Sequence, residues 1–383
     1  MDEQRQDSQA ENTENVESAE KTEEAVSTKK KWKWKWNIPL LILEFFVLLI
    51  AIGVLYVITT TTRKIERTNI DTDKIVINDE VVETKTEKKQ EEVKVSKGYR
   101  NIALFGVDAR DGNLGKGSRS DTIMIASINM DTHEIKLVSV YRDTYLNLGN
   151  DTYNKCNGAY AKGGPEQAIT MLNRNMDLDI TDYVTVGFSG LIEAIDALGG
   201  IEIEVTEAEI NHLNNYQLCM AEEMGVDYIP VTETGKQTLN GMQATAYCRI
   251  RYTKGDDFRR AERQRDVLGA MILKSKDASL ASLKDAVTAV LPSINTSLSV
   301  NEIISVLGTV AEYNVVTSEG FPFENERAPV NVGSKGACIV PTTLEENVVI
   351  LHELLYTDEN YTPSKQVKEL SEEIALQTDE YVE

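Results

Sequence analysis

Histidine is almost missing from this chain, with three residues in 383. His133, His212 and His352 fall outside every motif described below, so each is read as structural or surface rather than as a catalytic base or metal ligand. Cysteine is nearly as scarce, at four. Cys156, Cys219, Cys248 and Cys338 are widely scattered with no close ligand pairs, which argues against a cysteine metal site. Outside the cell they would be able to pair, and Cys219 with Cys248 is the pairing expected. Positive charge is also short: 40 Lys and Arg stand against 62 Asp and Glu, for a formal net charge of -22. Such a chain repels phosphate polymers at long range, which disfavours nucleic acid as a partner.

Against that background one stretch stands out. Tyr247 to Arg265, YCRIRYTKGDDFRRAERQR, holds six arginines and a lysine. Tyr247, Arg249 and Arg251 alternate with Cys248, Ile250 and Tyr252, the period of a strand, which would send both arginines from one face. Lys254-Gly255 predicts a turn, and Asp256 or Asp257 an N-cap for a helix starting near Phe258. Spacings of three and four put Asp257, Arg260 and Gln264 on one helical stripe, with Arg263 nearby. Guanidinium forks, helix N-terminal amides and a carboxylate would then converge on one small volume. A diphosphate with a divalent metal needs those groups. A solvated basic helix is the plain alternative.

The remaining chain divides by composition. Residues 1–36 begin with a Glu-rich tail unable to bury a core and end in a Lys/Trp block, Lys29 to Trp36. Residues 37–59 contain an apolar run from Ile38 to Ile58, interrupted by Glu44 and long enough to cross a bilayer as one helix. The lysines predict a cytoplasmic N-terminus and an external remainder. A cleaved signal peptide is the competing reading, weakened by the length of the run and the lack of a small-residue cleavage site. Residues 60–98, rich in Thr, Lys, Glu and Val, read as a stalk with an apolar patch at Ile75-Val76-Ile77. Residues 358–383 read as an acidic flexible tail.

Between them, residues 99–357 alternate strands and helices. Apolar runs at 101–107, 123–128 and 135–140 predict strands buried on both faces. Further strands are expected at 183–188, 201–205 and 314–317, and helices at 165–172, 190–198, 301–307 and 345–356. The fold class is therefore α/β: a central mixed β-sheet with helices on both faces, preceded by one transmembrane helix. Charged groups sit at strand edges, Asp108-Ala109-Arg110, Arg119-Ser120-Asp121 and Arg142-Asp143, where ligand sites of open α/β sheets gather.

Several separated motifs occur in one order: Gly106-Val107-Asp108-Ala109-Arg110, Arg119-Ser120-Asp121-Thr122, Tyr141-Arg142-Asp143-Thr144, Asn154-Lys155 to Tyr160 with Gly163-Gly164, Asp196 to Gly200, Arg249-x-Arg251 and Asp257 to Gln264. This order resembles the LytR-CpsA-Psr family, with motifs over residues 99 to about 276. The resemblance implies a membrane-anchored extracellular phosphotransferase of a Gram-positive-type envelope. It would move an anionic glycopolymer, such as teichoic acid or capsule, from a polyprenyl-diphosphate carrier onto peptidoglycan. By the same resemblance Arg142, Lys155, Arg249, Arg251, Arg260 and Gln264 would hold the diphosphate. Asp108, Asp121 and Asp257 would bind Mg²⁺, or Mn²⁺ in its place, or handle the acceptor proton, and Arg119 would help build the site. The carrier's lipid tail would lie in an apolar pocket between sheet and helices.

The chain departs from the family pattern at Tyr141, where proline is usual, at Cys156, and over Asn211 to Val226, which does not align and reads as a lid or a surface loop. Two other functions use the same residues. One is a polyprenyl-diphosphate (pyro)phosphatase with water as acceptor; the other is a non-enzymatic regulator that binds wall polymer.

Overall fold

Continuous apolar runs in three consecutive strands, buried on both faces, set the frame. The computed structural model describes residues 72–83, 92–93, 98–109, 113–251, 253, 255–357 and 361–382, all within one compact unit, Ile65–Glu383. The expectations for the acidic tail, the Lys/Trp block and the membrane span lie outside the described residues, as does Arg110 of the first motif. No helix among the described residues is long and apolar enough to cross a membrane.

Strands β1 (Tyr99–Val107), β2 (Ser120–Asn129) and β3 (Glu134–Val140) run antiparallel. A short ladder, β4 (Tyr145–Asn147) with β5 (Tyr153–Lys155), leads into α1 (Asn157–Met176). Then come β6 (Asp182–Val186), α2 (Phe188–Ala197), β7 (Ile201–Val205), α3 (Glu207–Met224), β8 (Gly235–Leu239) and α4 (Gly241–Arg249). The chain continues with α5 (Asp256–Lys276), α6 (Leu280–Val290), β9 (Ile294–Thr296), α7 (Val300–Gly308) and β10 (Asn314–Phe321). A hairpin of β11 (Arg327–Asn331) and β12 (Ala337–Pro341) precedes α8 (Leu344–Tyr356) and α9 (Lys365–Thr378).

Six strands make one sheet in the order β9-β6-β1-β2-β3-β10. β6 pairs parallel with β1 and β10 parallel with β3, so the sheet is mixed, as the sequence predicts. Strand alternation divides its side chains between two layers. Ala103, Phe105, Val107, Ile123 and Ile125 pack against α1, α8 and α9. On the other face Ile102, Met124, Ala126 and Leu137 meet Leu268 and Ile272 of α5 and Val306 of α7. Each large apolar side chain so buried contributes about 1.5–3 kcal/mol. A third cluster, with Ile195, Ile203, Leu213, Leu239 and Ala244, builds a lobe from α2, β7, α3, β8 and α4.

The structure corrects five expectations. Tyr247 to Arg249 is the end of helix α4, with Ile250 and Arg251 beyond it, not a strand. The helix starts at a capping box in which the Asn240 side chain accepts from Gln243 N and the Gln243 side chain accepts from Asn240 N, satisfying two exposed donors. Residues from Met242 to Cys248 are all buried, so alternation there carried no information about a face. Asn211 to Met224 is neither loop nor lid but the body of α3, begun by a Thr206/Glu209 capping box.

At the C-terminus, α9 replaces a flexible tail: Ser364 caps it, and Val367, Leu370 and Ile374 are buried at helical spacing. Part of the expected stalk lies on the domain. Val76 N donates to Thr170 Oγ1 at 3.2 Å, Asn78 Nδ2 donates to Arg174 O at 3.1 Å, and Val81 is buried. Finally, all four cysteines are free. Cys219 is exposed on α3 while Cys248 is buried in α4, where burial pushes its thiol up to about 12.

Candidate active site

The register of the sheet brings the charged motifs together. Gly106 of β1 lies opposite Thr122 of β2, so Asp108 beyond the end of β1 and Asp121 near the start of β2 share one edge. Arg142 follows the end of β3 at the same edge. Helix α5 delivers its first turn there: Gly255 precedes it at φ 99°, a conformation that strains other L-residues, and Asp256 and Asp257 occupy the turn. Acidic residues suit the positive end of the helix dipole.

Three guanidiniums surround two carboxylates. Arg142 Nη1 donates to Asp121 Oδ1 at 2.9 Å and Nη2 to Asp257 Oδ2 at 3.5 Å. Arg251 approaches both acids at 3.7 Å, through Nη2 to Asp121 Oδ2 and Nε to Asp257 Oδ1. Arg260 Nη1 lies 3.2 Å from Asp257 Oδ1. The group therefore carries more positive than negative charge. Burial, together with the nearby Arg142, pushes Arg260 down to about 10 despite Asp257. It remains a cation at neutral pH. Arg142 moves the other way: burial opposes its charge, but Asp121 and Asp257 outweigh that and raise its pKa.

Several buried polar atoms at this edge lack a hydrogen-bond partner: Arg142 Nε, Arg249 Nη1, Arg260 Nε and Asp257 Oδ1. Each such atom costs about 1–3 kcal/mol if it stays unpaired. Arg142 Nε still faces the Asp143 carboxylate at 3.3 Å, which leaves Arg249 Nη1 and Arg260 Nε as cationic donors without a partner, a feature that suits an anion. Arg249, at the C-terminal end of α4, is held over the Phe188 ring at 4.5 Å and beside Tyr216 at 5.3 Å, both to the ring centroids.

Asp121, Arg251 and Arg260 of this cluster, with Asp108, Arg249 and Gln264, line a cavity of about 510 Å³ whose other walls include Leu104, Met124, Val184, Val267 and Leu268. Arg142 and Asp257 border a small crevice beside it, which shares Asp121, Arg260 and Gln264. A second cavity of about 360 Å³, lined almost wholly by apolar residues, adjoins it. Leu104, Ala194, Leu268, Met271, Val290 and Ile294 line both. The two occupy the sheet face opposite α1, α8 and α9. The charged residues thus share one cavity with apolar walls, and a second, apolar cavity lies beside it.

Most of the expected residues meet here; two do not. Lys155 lies outside the cavity lining and pairs with Asp143 at 3.1 Å, which in turn lies 3.3 Å from Arg142 Nε. Arg119 is exposed and, among the described residues, makes no ion pair. No three His, Cys, Asp or Glu side chains among the described residues are grouped to hold a metal ion by themselves. Sequence reasoning missed the aromatic platform of Phe188 and Tyr216, because their partnership with Arg249 is purely tertiary. It also missed Asp143 as the link between Arg142 and Lys155, although the residue stands in the motif Tyr141 to Thr144.

Arg327 was missed as well. Its guanidinium lies 4.0 Å from the Phe258 ring centroid and 5.1 Å from that of Tyr141, and Nη1 donates to the Tyr141 hydroxyl at 3.1 Å. Tyr141 thus fastens the turn before Arg142 by contacts that a proline would not make.

The model of the LytR_cpsA_psr family matches residues 62–334. The chain belongs to that family. The polyisoprenyl-teichoic acid–peptidoglycan teichoic acid transferase TagU of Enterococcus faecalis is 32% identical over 228 residues, 58% of this chain and 70% of that protein. TagU of Oceanobacillus iheyensis is 33% identical over 193 residues, 49% of this chain and 54% of that protein. Among solved structures, TagV of B. subtilis superposes with a TM-score of 0.55 at 24% identity, covering 70% of this chain and 99% of that one. A structure described as TagT bound to LIIa-WTA gives a TM-score of 0.54 at 21% identity, covering 71% and 95%. At those identities the structural likeness establishes the fold.

Proposed function

We propose that this LytR_cpsA_psr family member transfers an anionic glycopolymer, such as teichoic acid, from a polyprenyl-diphosphate carrier to peptidoglycan. The observation that carries the reading is the cation-rich cluster of Arg142, Arg251 and Arg260, in which Arg251 and Arg260 line a cavity with mainly apolar walls. A polyprenyl diphosphate has that division, a dianionic head on a long hydrocarbon tail. Each cavity falls within the range of about 300–1,000 Å³ usual for ligand sites. The names of the TagU relatives agree with the substrate class.

In this reading Arg142, Arg249, Arg251 and Arg260 grip the diphosphate, with Gln264 as an amide donor. An acceptor-sugar hydroxyl attacks the distal phosphorus, and charge accumulates on the departing polyprenyl phosphate. Fixed guanidiniums in a partly buried site stabilise that charge more in the transition state than in the ground state. A carboxylate oxygen of Asp108 or Asp121 takes the hydroxyl proton. The donor set also suits Mg²⁺ or Mn²⁺: Asp121 and Asp257 are brought together by Arg142, and Asp257 Oδ1, though beside Arg260, makes no hydrogen bond. Mg²⁺ commonly binds through one or two carboxylates and substrate phosphates, so a preformed three-acid cage is not required. Asp257, with whichever of Asp121 and Asp108 does not take the proton, would hold the ion, which would neutralise phosphate charge. The apolar run 38–58 would anchor the domain on the outer side of the membrane, beside its lipid-linked donor and the wall.

The test uses the full-length protein with Mg²⁺, a polyprenyl-diphosphate oligosaccharide and a peptidoglycan fragment, and reads products by mass spectrometry. Wild type should yield the ligated phosphodiester and free polyprenyl phosphate, and Arg251→Ala should form it about 10²-fold more slowly. Release of polyprenyl phosphate with unligated polymer phosphate would instead establish a hydrolase. Unimpaired turnover by Arg251→Ala would remove this residue from the site.

A further inference from the structure

Away from the cavity lining, the most deeply buried ion pair among the described residues joins Arg263 of α5 to Glu209 of α3, with side chains 1% and 2% exposed. Arg263 Nε donates to Glu209 Oε1 at 2.8 Å, Nη1 to Ile250 O at 3.0 Å and Nη2 to Thr253 Oγ1 at 2.7 Å. All three nitrogens are thus committed, one to an acid and two to the segment that carries Arg251. The contacts fall on either side of that arginine, and Thr253 N donates back to Arg251 O at 2.9 Å. Glu209 is fixed in turn, since its Oε2 accepts from Thr206 N at 2.9 Å and from Thr206 Oγ1 at 2.8 Å. One carboxylate therefore closes the N-terminus of α3 and orients the guanidinium.

Two apolar side chains would fill this space with less desolvation. They would not supply a directional hold on a carbonyl and a hydroxyl flanking Arg251. Helix α4 ends at Arg249 and α5 begins at Asp256, and the described residues between them belong to no helix or strand. A phosphate-gripping fork needs its position set to within a fraction of an ångström.

We propose that Glu209 and Arg263 form a positioning pair for the diphosphate site, in which Arg263 holds the segment on both sides of Arg251 and Glu209 holds Arg263. The inference rests on the reading of the cluster as a diphosphate site. The first turn of helix α3, just before the stretch Asn211 to Val226 that does not align with the family pattern, thereby supports the arginine segment.

The test measures binding of farnesyl diphosphate and of farnesol to the full-length protein in detergent micelles. The variants are Thr253→Val, Glu209→Gln and Arg263→Lys, each alone and combined with Arg251→Ala. Each single variant should weaken farnesyl diphosphate binding about tenfold while farnesol, which tests only the apolar walls of the cavity, binds as to wild type. In the Arg251→Ala background the same substitutions should cost nothing further, because the pair acts through Arg251.

Additive losses, a parallel loss of farnesol, or unchanged diphosphate affinity in the single variants would overturn the proposal. Should Arg263→Lys or Glu209→Gln fail to fold, Thr253→Val, which removes one hydroxyl, decides the matter alone. If wild type ignores farnesyl diphosphate, or Arg251→Ala binds it normally, the diphosphate reading falls and takes the pair with it; the other adverse outcomes overturn the pair alone.

Discussion

At the scale of single residues, Arg260 shows how surroundings select a side chain. It is buried beside Arg142 and Arg251, and those surroundings lower its pKa to about 10. A lysine in its place would start from about 10.4, below arginine, and the same burial and the same cations would lower it further. Its protonated form binds the anion, so affinity would fall as pH rises through the lowered pKa. Arg260→Lys should therefore bind a polyprenyl diphosphate near pH 6 and lose about tenfold in affinity by about pH 9. Wild type should stay level over the same range, and titration calorimetry at several pH values would check both. Equal, flat profiles would mean that position 260 is better hydrated than its burial suggests. The chemistry of this position was legible in sequence, because Asp257, Arg260 and Gln264 at spacings of three and four share a helix face whatever the packing. The aromatic platform under Arg249 was not, because Phe188 and Tyr216 lie far from it in the chain.

At the scale of elements, the same contrast separates the strands from α4. Runs such as Ile123 to Ile128 are buried on both faces and bounded by turns, so composition and length identify them. Helix α4 is buried all round, and an element without a solvent face has no period to read; its capping box at Asn240 and Gln243 was the usable signal. The close approach that places α4 also went unread. A Cβ on Gly241 would lie 2.2 Å from Ile192 O and 2.8 Å from the backbone C and Cα of Ile192, atoms that cannot swing aside. Gly241→Ala must push α4 from α2, and with it Arg249 from Phe188. The expected cost is about 1–3 kcal/mol, a fall in Tm of about 2–4 °C for each kcal/mol, with weaker diphosphate binding. Gly269, inside α5, has open space around its would-be Cβ. Gly269→Ala should be neutral or stabilise by up to about 1 kcal/mol. Thermal unfolding of the two variants side by side would test the contrast, and a similar response from both would mean that contact at Gly241 is not what limits it.

At the scale of the whole molecule, the class and the mixed sheet followed from continuous apolar strand runs alternating with helical stretches, but the cavities did not. A cavity is where side chains fail to meet, and no residue pattern announces a gap. Met271 lines both the cavity at the charged mouth and the apolar one behind it, as does Leu268 one helical turn earlier, so α5 controls the passage between them. Met271→Trp would fill that passage without touching the arginines. Geranyl diphosphate, short enough to remain in the front cavity, should bind within about twofold of wild type, whereas undecaprenyl diphosphate should lose about tenfold, since its tail must bend out or displace the indole. Competition between the two ligands in the same micelles measures that ratio directly. If the long carrier is unaffected, its tail leaves the protein before residue 271 and the rear cavity serves another purpose. A parallel loss of both ligands would mean that the indole disturbs the charged mouth itself.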